Sequence, residues 1–297
     1  MKTNLMPVDY AELLNAAAHP LFLVSAYDIA NCPLEHRRRI NAALSQCKER
    51  KTAILMDSGN YEAFWKGDST WTTDRFHEVA RASEHHLCFC HDNQKPPGTA
   101  KAIAEDVVSS VLRDQEHTLG TVAPIVHGPA EMLSVAARIV VEQLYPIMLA
   151  VPERELGDGI VARIKTVKRL RRALDELGFY CPLHLLGTGN PLSIAVYAMA
   201  GADSFDGLEW CQTVVDHQTG KLFHFQQWDL FKEQTEWGSN GAMPYIQSAL
   251  MHNLVFYQTF MAGLRDALIN NTAEEFLRHY ATEKQATLLL NAIKEDD

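Results

Sequence analysis

Three aspartates stand where apolar runs give way to polar residues: Asp57 in LMDSGNY, Asp92 in CFCHDNQ and Asp206 in DSFDG. A carboxylate can attack an electrophilic carbon, move a proton once its environment is tuned, or accept hydrogen bonds from the N–H edge of a flat ring. Gathered at one mouth of a barrel, three such groups would divide these roles between them. Aspartate in the same position also caps a following helix, and position alone leaves both readings open. Cys88, Cys90 and His91 lie beside Asp92 and carry metal-ligating side chains. On a strand Cys88 and Cys90 share one face while His91 takes the other, so core packing accounts for them better than a metal.

The elements that must position these aspartates follow from the hydropathy pattern. Apolar runs recur at LFLVSAYD near residue 21, AILMDSG near 53, HLCFCHD near 87 and TVAPIVHG near 121, then at YPIMLAVPE near 145, PLHLLGTG near 182 and ADSFDG near 202. Each reads as a strand buried on both faces, as parallel strands are, at the spacing of one βα unit. Most end in Asp, Gly, Glu or His, the polar ends that line the active face of a barrel. KLFHF near 221 is an eighth strand or part of an inserted hairpin. The expectation is an α/β fold, a (β/α)8 TIM barrel over about residues 20–235 with additional C-terminal helices over about 243–294, in a single domain of residues 1–297.

Among the helices, Val161, Ile164, Val167, Leu170, Leu174 and Leu177 form one apolar stripe, with Gly178 expected to end that helix. Its polar face carries Arg163, Lys165, Lys168, Arg169, Arg171 and Arg172, which read as a solvated face, a phosphate-contact stripe or a dock for an acidic partner. Near the C-terminus Thr272 and Glu275 form a candidate capping box. Phe223, Phe225, Trp228 and Phe231 lie in an aromatic-rich stretch from Trp210 to Trp237, read as a partner surface or as the packing of the inserted hairpin.

Composition narrows the class. With 47% hydrophobic and 22% charged residues, 297 residues suffice for one large α/β domain. The start lacks a signal-peptide run and no stretch of about 18 apolar residues occurs, so a soluble, cytoplasmic protein without membrane partners is expected. Six cysteines are too sparse for a disulfide framework. A formal charge of −10 argues against a broad nucleic-acid footprint, which needs clustered cations to displace counterions from phosphates.

Motifs add a resemblance to this reading. Asp57-Ser58-Gly59-Asn60-Tyr61 resembles the D-S-G-G-[FY]-Q signature of the tRNA-guanine transglycosylases, and HLLGTGNPLSIAVYAMAGADSFDG resembles their H-x-x-G-x-G-x-P followed by G-x-D-x-F-D. LAVPERE from Leu149 is similar to their L-A-V-G-E, and MHNLVFYQTFMAGLRDAL to their H-N-[LI]-x-F-Y helix. The four matches run in register from about residue 50 to 270. The resemblance implies that Asp206 is a nucleophile that attacks ribose C1′, expels guanine and forms a covalent glycosyl-enzyme. It implies that Asp57 is the general acid and base, and that Asp92 accepts hydrogen bonds from the guanine N1–H and 2-amino group. Ser58 and Tyr61 fall where the family contacts and stacks on the base, and His127, Met148 and Leu149 fall at further pocket positions. The implied ligand is a guanine or 7-deazaguanine base, with no cofactor.

The chain also departs from the family pattern. The family's structural zinc is held by C-x-C-x-x-C and a downstream His. His252 falls on the His position, but no Cys follows Cys211, so no metal is expected. Leu208-Glu209-Trp210-Cys211-Gln212 replaces a P-T-R segment that helps hold tRNA, which weakens tRNA or DNA as partners. His127 stands where Gln is usual and Met148 where a Gly is. The family's homodimer forms partly through its zinc region, so a dimer is an open expectation. A second reading follows, a 7-deazaguanine-recognition module resembling the accessory proteins of some anti-phage (CBASS-type) operons and binding a deazaguanine-modified protein. A nucleoside hydrolase, with water resolving the glycosyl-enzyme, is the third.

Overall fold

The computed structural model describes residues 5–239, 241 and 243–295. Each of the seven apolar runs contains a strand: β1 (Leu21–Ser25), β2 (Ala53–Asp57), β3 (Leu87–Phe89), β4 (Thr121–Ala123), β5 (Leu149–Pro152), β6 (Leu183–Leu186) and β7 (Ser204–Phe205). A helix separates each strand from the next, giving an α/β fold of small parallel sheets and many helices. KLFHF contributes β9 (Leu222–His224), which pairs antiparallel with β8 (Thr213–Val215), so it is the second arm of a hairpin.

The chain divides into two compact units, one of Asn4–Glu155 with Ala173–Pro182 and one of Leu156–Arg172 with Leu183–Asp297. In the first, β1 to β4 form a parallel sheet in sequence order, with Ser25 opposite Asp57, Leu55 opposite Leu87 and Leu87 opposite Thr121. Ile125 and Ala150 form a further parallel bridge. Leu87, Cys88, Phe89 and Cys90 are all buried without alternation, the mark of a strand covered on both faces. Cys88 and Cys90 are therefore core residues, and burial pushes both thiols up, out of the reactive range.

In the second unit β6 and β7 pair in parallel, His184 opposite Ser204. The long helix Tyr245–Ile269 forms its spine, burying Phe256, Phe260 and Leu264. This helix ends in a Schellman turn, with Asn271 at φ 57° and Thr272 N–H donating to Ala267 O at 2.8 Å. That turn fixes Thr272 at ψ 18°, where its side chain makes no cap, so the expected Thr272–Glu275 box does not form. The box belongs instead to the next helix, Glu283–Lys294, where Thr282 and Gln285 cap each other. Phe225, Trp228 and Phe231 are buried, and Phe223 lies 4.9 Å from Phe231, so the aromatic stretch packs on its own hairpin.

The stripe of the helix Gly159–Asp175 is legible in its burial, since Ile164, Val167, Leu170 and Leu174 are fully buried. The helix ends at Asp175, ahead of Gly178. Its cations are tied within the chain: Arg163 donates to Gly157 O at 3.0 Å and Arg169 to Thr166 Oγ1 at 2.8 Å. Lys165 pairs with Glu295 at 3.1 Å and Arg171 with Asp203 at 3.5 Å. Among the described residues no helix is long and apolar enough to cross a membrane.

Candidate functional site

In the first unit the site begins at the corner after β2. Asp57 ends that strand, and its Oδ2 accepts the Gly59 N–H at 2.9 Å in an Asx turn. Gly59 has φ 73°, and a Cβ there would stand 2.2 Å from the Tyr27 Cβ, so only glycine fits this corner. The helix Asn60–Lys66 starts directly after it and carries Tyr61 half-exposed on its first turn. Asp57 thus does part of what a capping aspartate does. Asp92 does not, because its carboxylate receives side chains.

Asp92 follows β3 and is buried. Ser58 Oγ donates to its Oδ1 at 3.0 Å, and His127 Nε2 to its Oδ2 at 2.6 Å. His127 Nδ1 lies 2.7 Å from Glu155 Oε1, and the Gly128 N–H donates to Glu155 Oε2 at 2.7 Å. Each ring nitrogen of His127 faces a carboxylate, an arrangement satisfied when both carry protons. Burial alone would lower the His127 pKa, but the hydrogen bonds and charges of Asp92 and Glu155 outweigh it and raise it to about 9. For Asp92, burial pushes the carboxyl up, and the hydrogen bond and charge of His127 prevail, holding it below its usual range. The triad is an imidazolium between two carboxylates, and Asp92 is a fixed, ionised acceptor.

A second chain of contacts runs outward from Asp92. Gln94 Nε2 donates to Asp92 Oδ2, and Gln94 Oε1 accepts from Arg154 at 2.7 Å. The Arg154 guanidinium lies over the Tyr61 ring, 4.4 Å from its centre, and 3.5 Å from Glu155. Asn60 Nδ2 donates to the Asp92 backbone carbonyl, tying the corner after β2 to the loop after β3. Ser58, Asp92 and His127 are brought into direct contact, and Tyr61 joins them through Arg154 and Gln94. Leu149 is fully buried at the start of β5 and Met148 is half-buried before it, and neither shares in the hydrogen-bonded network.

In the second unit Asp206 follows β7. Its Oδ1 accepts from the Gly187 N–H at 3.0 Å and lies 3.2 Å from His184 Nε2. The His184 ring is buried, with its Nδ1 2.8 Å from Ser204 Oγ. Donation from Nε2 to Asp206 and acceptance at Nδ1 from the Ser204 hydroxyl satisfy both contacts. Asp206 caps no helix, and both donors lie on one oxygen.

No family model matches the chain. It is similar to the tRNA-guanine(15) transglycosylase of Haloferax volcanii, 23% identical over 217 residues. The similarity covers 68% of this chain and 41% of that protein, so the chain spans less than half the length of the curated relative it matches. This is a distant similarity.

The structural zinc implied by the resemblance does not fit the residues present. No Cys follows Cys211, and both His252 ring nitrogens are engaged, Nε2 with Val215 O at 2.7 Å and Nδ1 with Thr235 Oγ1 at 3.2 Å. Burial lowers the His252 pKa to about 4, so the ring is neutral and serves the packing of the hairpin. Sequence reasoning missed Gln94, Arg154, Glu155 and His184. The signal for two of them is the Arg154-Glu155 pair in LAVPERE, directly after the residues that match L-A-V-G-E.

Proposed function

We propose that this chain is a transglycosylase-like protein, a single (β/α)8 barrel domain with additional C-terminal helices. In this reading it binds guanine or a 7-deazaguanine and exchanges it through a covalent Asp206–glycosyl intermediate. The observation that carries the reading is Asp92. A buried, ionised carboxylate held by Ser58 and His127, with Tyr61 three contacts away through Gln94 and Arg154, is what the N–H edge and the face of a guanine-like ring need. The distant similarity to a transglycosylase points the same way.

The Asp206 oxygen that carries neither donor attacks ribose C1′, the C1′–N9 bond breaks, and protonated Asp57 supplies the proton that N9 takes as the base leaves. The incoming base gives its N9 proton to the Asp57 carboxylate, N9 attacks C1′, and Asp206 is released. Asp92 reads the N1–H and 2-amino edge, Ser58 fixes Asp92, and Tyr61 stacks on the ring. Met148 and Leu149 close the pocket, and His127 governs the state of Asp92. The test is incorporation of labelled guanine or 7-deazaguanine into tRNA, DNA or a nucleoside. Incorporation lost in Asp206→Asn is expected, and no incorporation into any acceptor together with no bound base would sink the reading.

One observation favours a second reading. Arg163, Arg169, Arg171 and Lys165 of the helix Gly159–Asp175 engage Gly157, Thr166, Asp203 and Glu295, which draws on the charge a phosphate stripe would use. A protein that keeps the base pocket and gives up tRNA fits this, with a deazaguanine carried on a protein as ligand. Base binding without exchange into any nucleic acid would select it.

A further inference from the structure

Gln94 and Arg154 lie on the two surfaces that a flat base needs. A carboxylate offers about four lone-pair positions. On Asp92, His127 and Gln94 take both positions of Oδ2 and Ser58 takes one of Oδ1. Ser58 and His127 are fixed, the first buried and the second pinned at both ends. Gln94 comes from the loop after β3 and is half-buried, so it is the donor that can leave. A ring presenting two adjacent N–H donors needs one position on each oxygen, and the position on Oδ2 is the one Gln94 holds.

The orientation of the Gln94 amide follows from its partners, since Oε1 faces a guanidinium that only donates and Nε2 faces a carboxylate that only accepts. Arg154 in turn lays a planar group on the Tyr61 ring, as a stacked base would. We infer that Gln94 and Arg154 form a two-part latch which imitates the base, the amide standing for its N–H edge and the guanidinium for its face, and which thereby selects the ring that opens it. This rests on the base-binding reading above.

Only a ring with both a paired N–H edge and a π face replaces what both parts of the latch give up. Guanine and 7-deazaguanines have both. Adenine has the face without the paired N–H edge, so it leaves Gln94 on Asp92. Released Arg154 still has Glu155 within 3.5 Å, which keeps its charge compensated while the latch is open. Affinity for the right base is lowered by the fraction of molecules with the latch open, and selectivity is gained in return.

Titration calorimetry of the full chain with guanine, 7-cyano-7-deazaguanine and adenine tests this. Gln94→Ala and Arg154→Ala are each expected to tighten guanine by about three- to tenfold, tenfold being about 1.4 kcal/mol. The double variant is expected to gain less than the product of the two, because the parts act as one chain. Arg154→Lys keeps the charge but loses the flat fork, and it should tighten binding as alanine does. Arg154 is partly exposed, its side chain 38% accessible, and unchanged melting curves confirm the fold of each variant. Weaker guanine binding in Arg154→Ala or Gln94→Ala would show them to be ligand contacts and overturn the latch. Equal gains for adenine would overturn its role in selection. Wild type and variants all failing to bind any of the three would instead sink the base-site reading, and the latch with it.

Discussion

Asp92 and Asp206 each lie within hydrogen-bonding distance of an imidazole, yet the two units wire them in opposite ways. The Asp92 side chain is 5% exposed, both its oxygens accept, and its His127 partner is clamped by a second carboxylate. The Asp206 side chain is 27% exposed, both its contacts fall on Oδ1, and among the described residues no donor reaches Oδ2. His184 differs from His127, with the Ser204 hydroxyl at its Nδ1 where His127 has Glu155. A carboxylate held at both oxygens cannot move toward a carbon, but it keeps its charge and direction, which suits a reader. One held on a single oxygen is oriented and still has an oxygen able to form a bond, which suits a nucleophile.

Exchanging the aspartates for asparagines tests this contrast most strongly. Asp206→Asn should lower base exchange by roughly a thousandfold or more, as loss of a catalytic group ordinarily does, and leave the affinity for free guanine within about twofold. Asp92→Asn should do the converse, weakening guanine by about a hundredfold as a buried polar edge loses its partner. Single-turnover exchange and calorimetry read the two effects separately, and the reverse pattern would exchange the two roles.

The next effect concerns the clamp. Removing the ring in His127→Ala leaves Asp92 and Glu155 facing each other without their cation, and urea unfolding should show a loss of about 3 kcal/mol. The raised pKa of His127 gives a direction with pH. Its contribution is fully present below the ordinary value of 6.5 and is lost as pH rises through about 9. Asp92, held low, contributes above its ordinary range and loses that contribution as pH falls through its depressed value. Between pH 6 and pH 10 the wild type should therefore lose up to about 3 kcal/mol that His127→Gln does not lose. Identical profiles for the two would remove the imidazolium from the account. The smallest effect is that of Ser58→Ala, which deletes one neutral donor to a charged acceptor and should cost about 1–2 kcal/mol in guanine affinity.

How far the sequence reveals this contrast depends on the range of the interactions. Strands announce themselves through runs such as AILMD and HLCF, because burial on both faces demands continuous apolar residues, and all seven lie where these runs place them. The corner at Gly59 is less direct, since the sequence shows a glycine after Asp-Ser and the structure supplies its φ of 73°. KLFHF left a choice between strand and hairpin that only pairing with β8 decides. Thr272 misled because a capping box is read forward from its threonine, while here the preceding Schellman turn sets the backbone. Least legible are Gln94 and Arg154, sixty residues apart, whose meaning comes from a contact between loops and not from any local pattern. Which oxygen of Asp206 is held likewise depends on Gly187 and His184, 19 and 22 residues upstream.

Gly59 also constrains how this protein can vary. A side chain there would meet the Tyr27 Cβ and, at 2.7 Å, the Tyr27 backbone nitrogen, so no change of residue at position 27 alone makes room for it. In a library randomised over residues 57–61, the outer positions would report what the chemistry tolerates, while position 59 would return glycine whatever activity was selected. The corner is a fixed point about which the pocket can be redesigned.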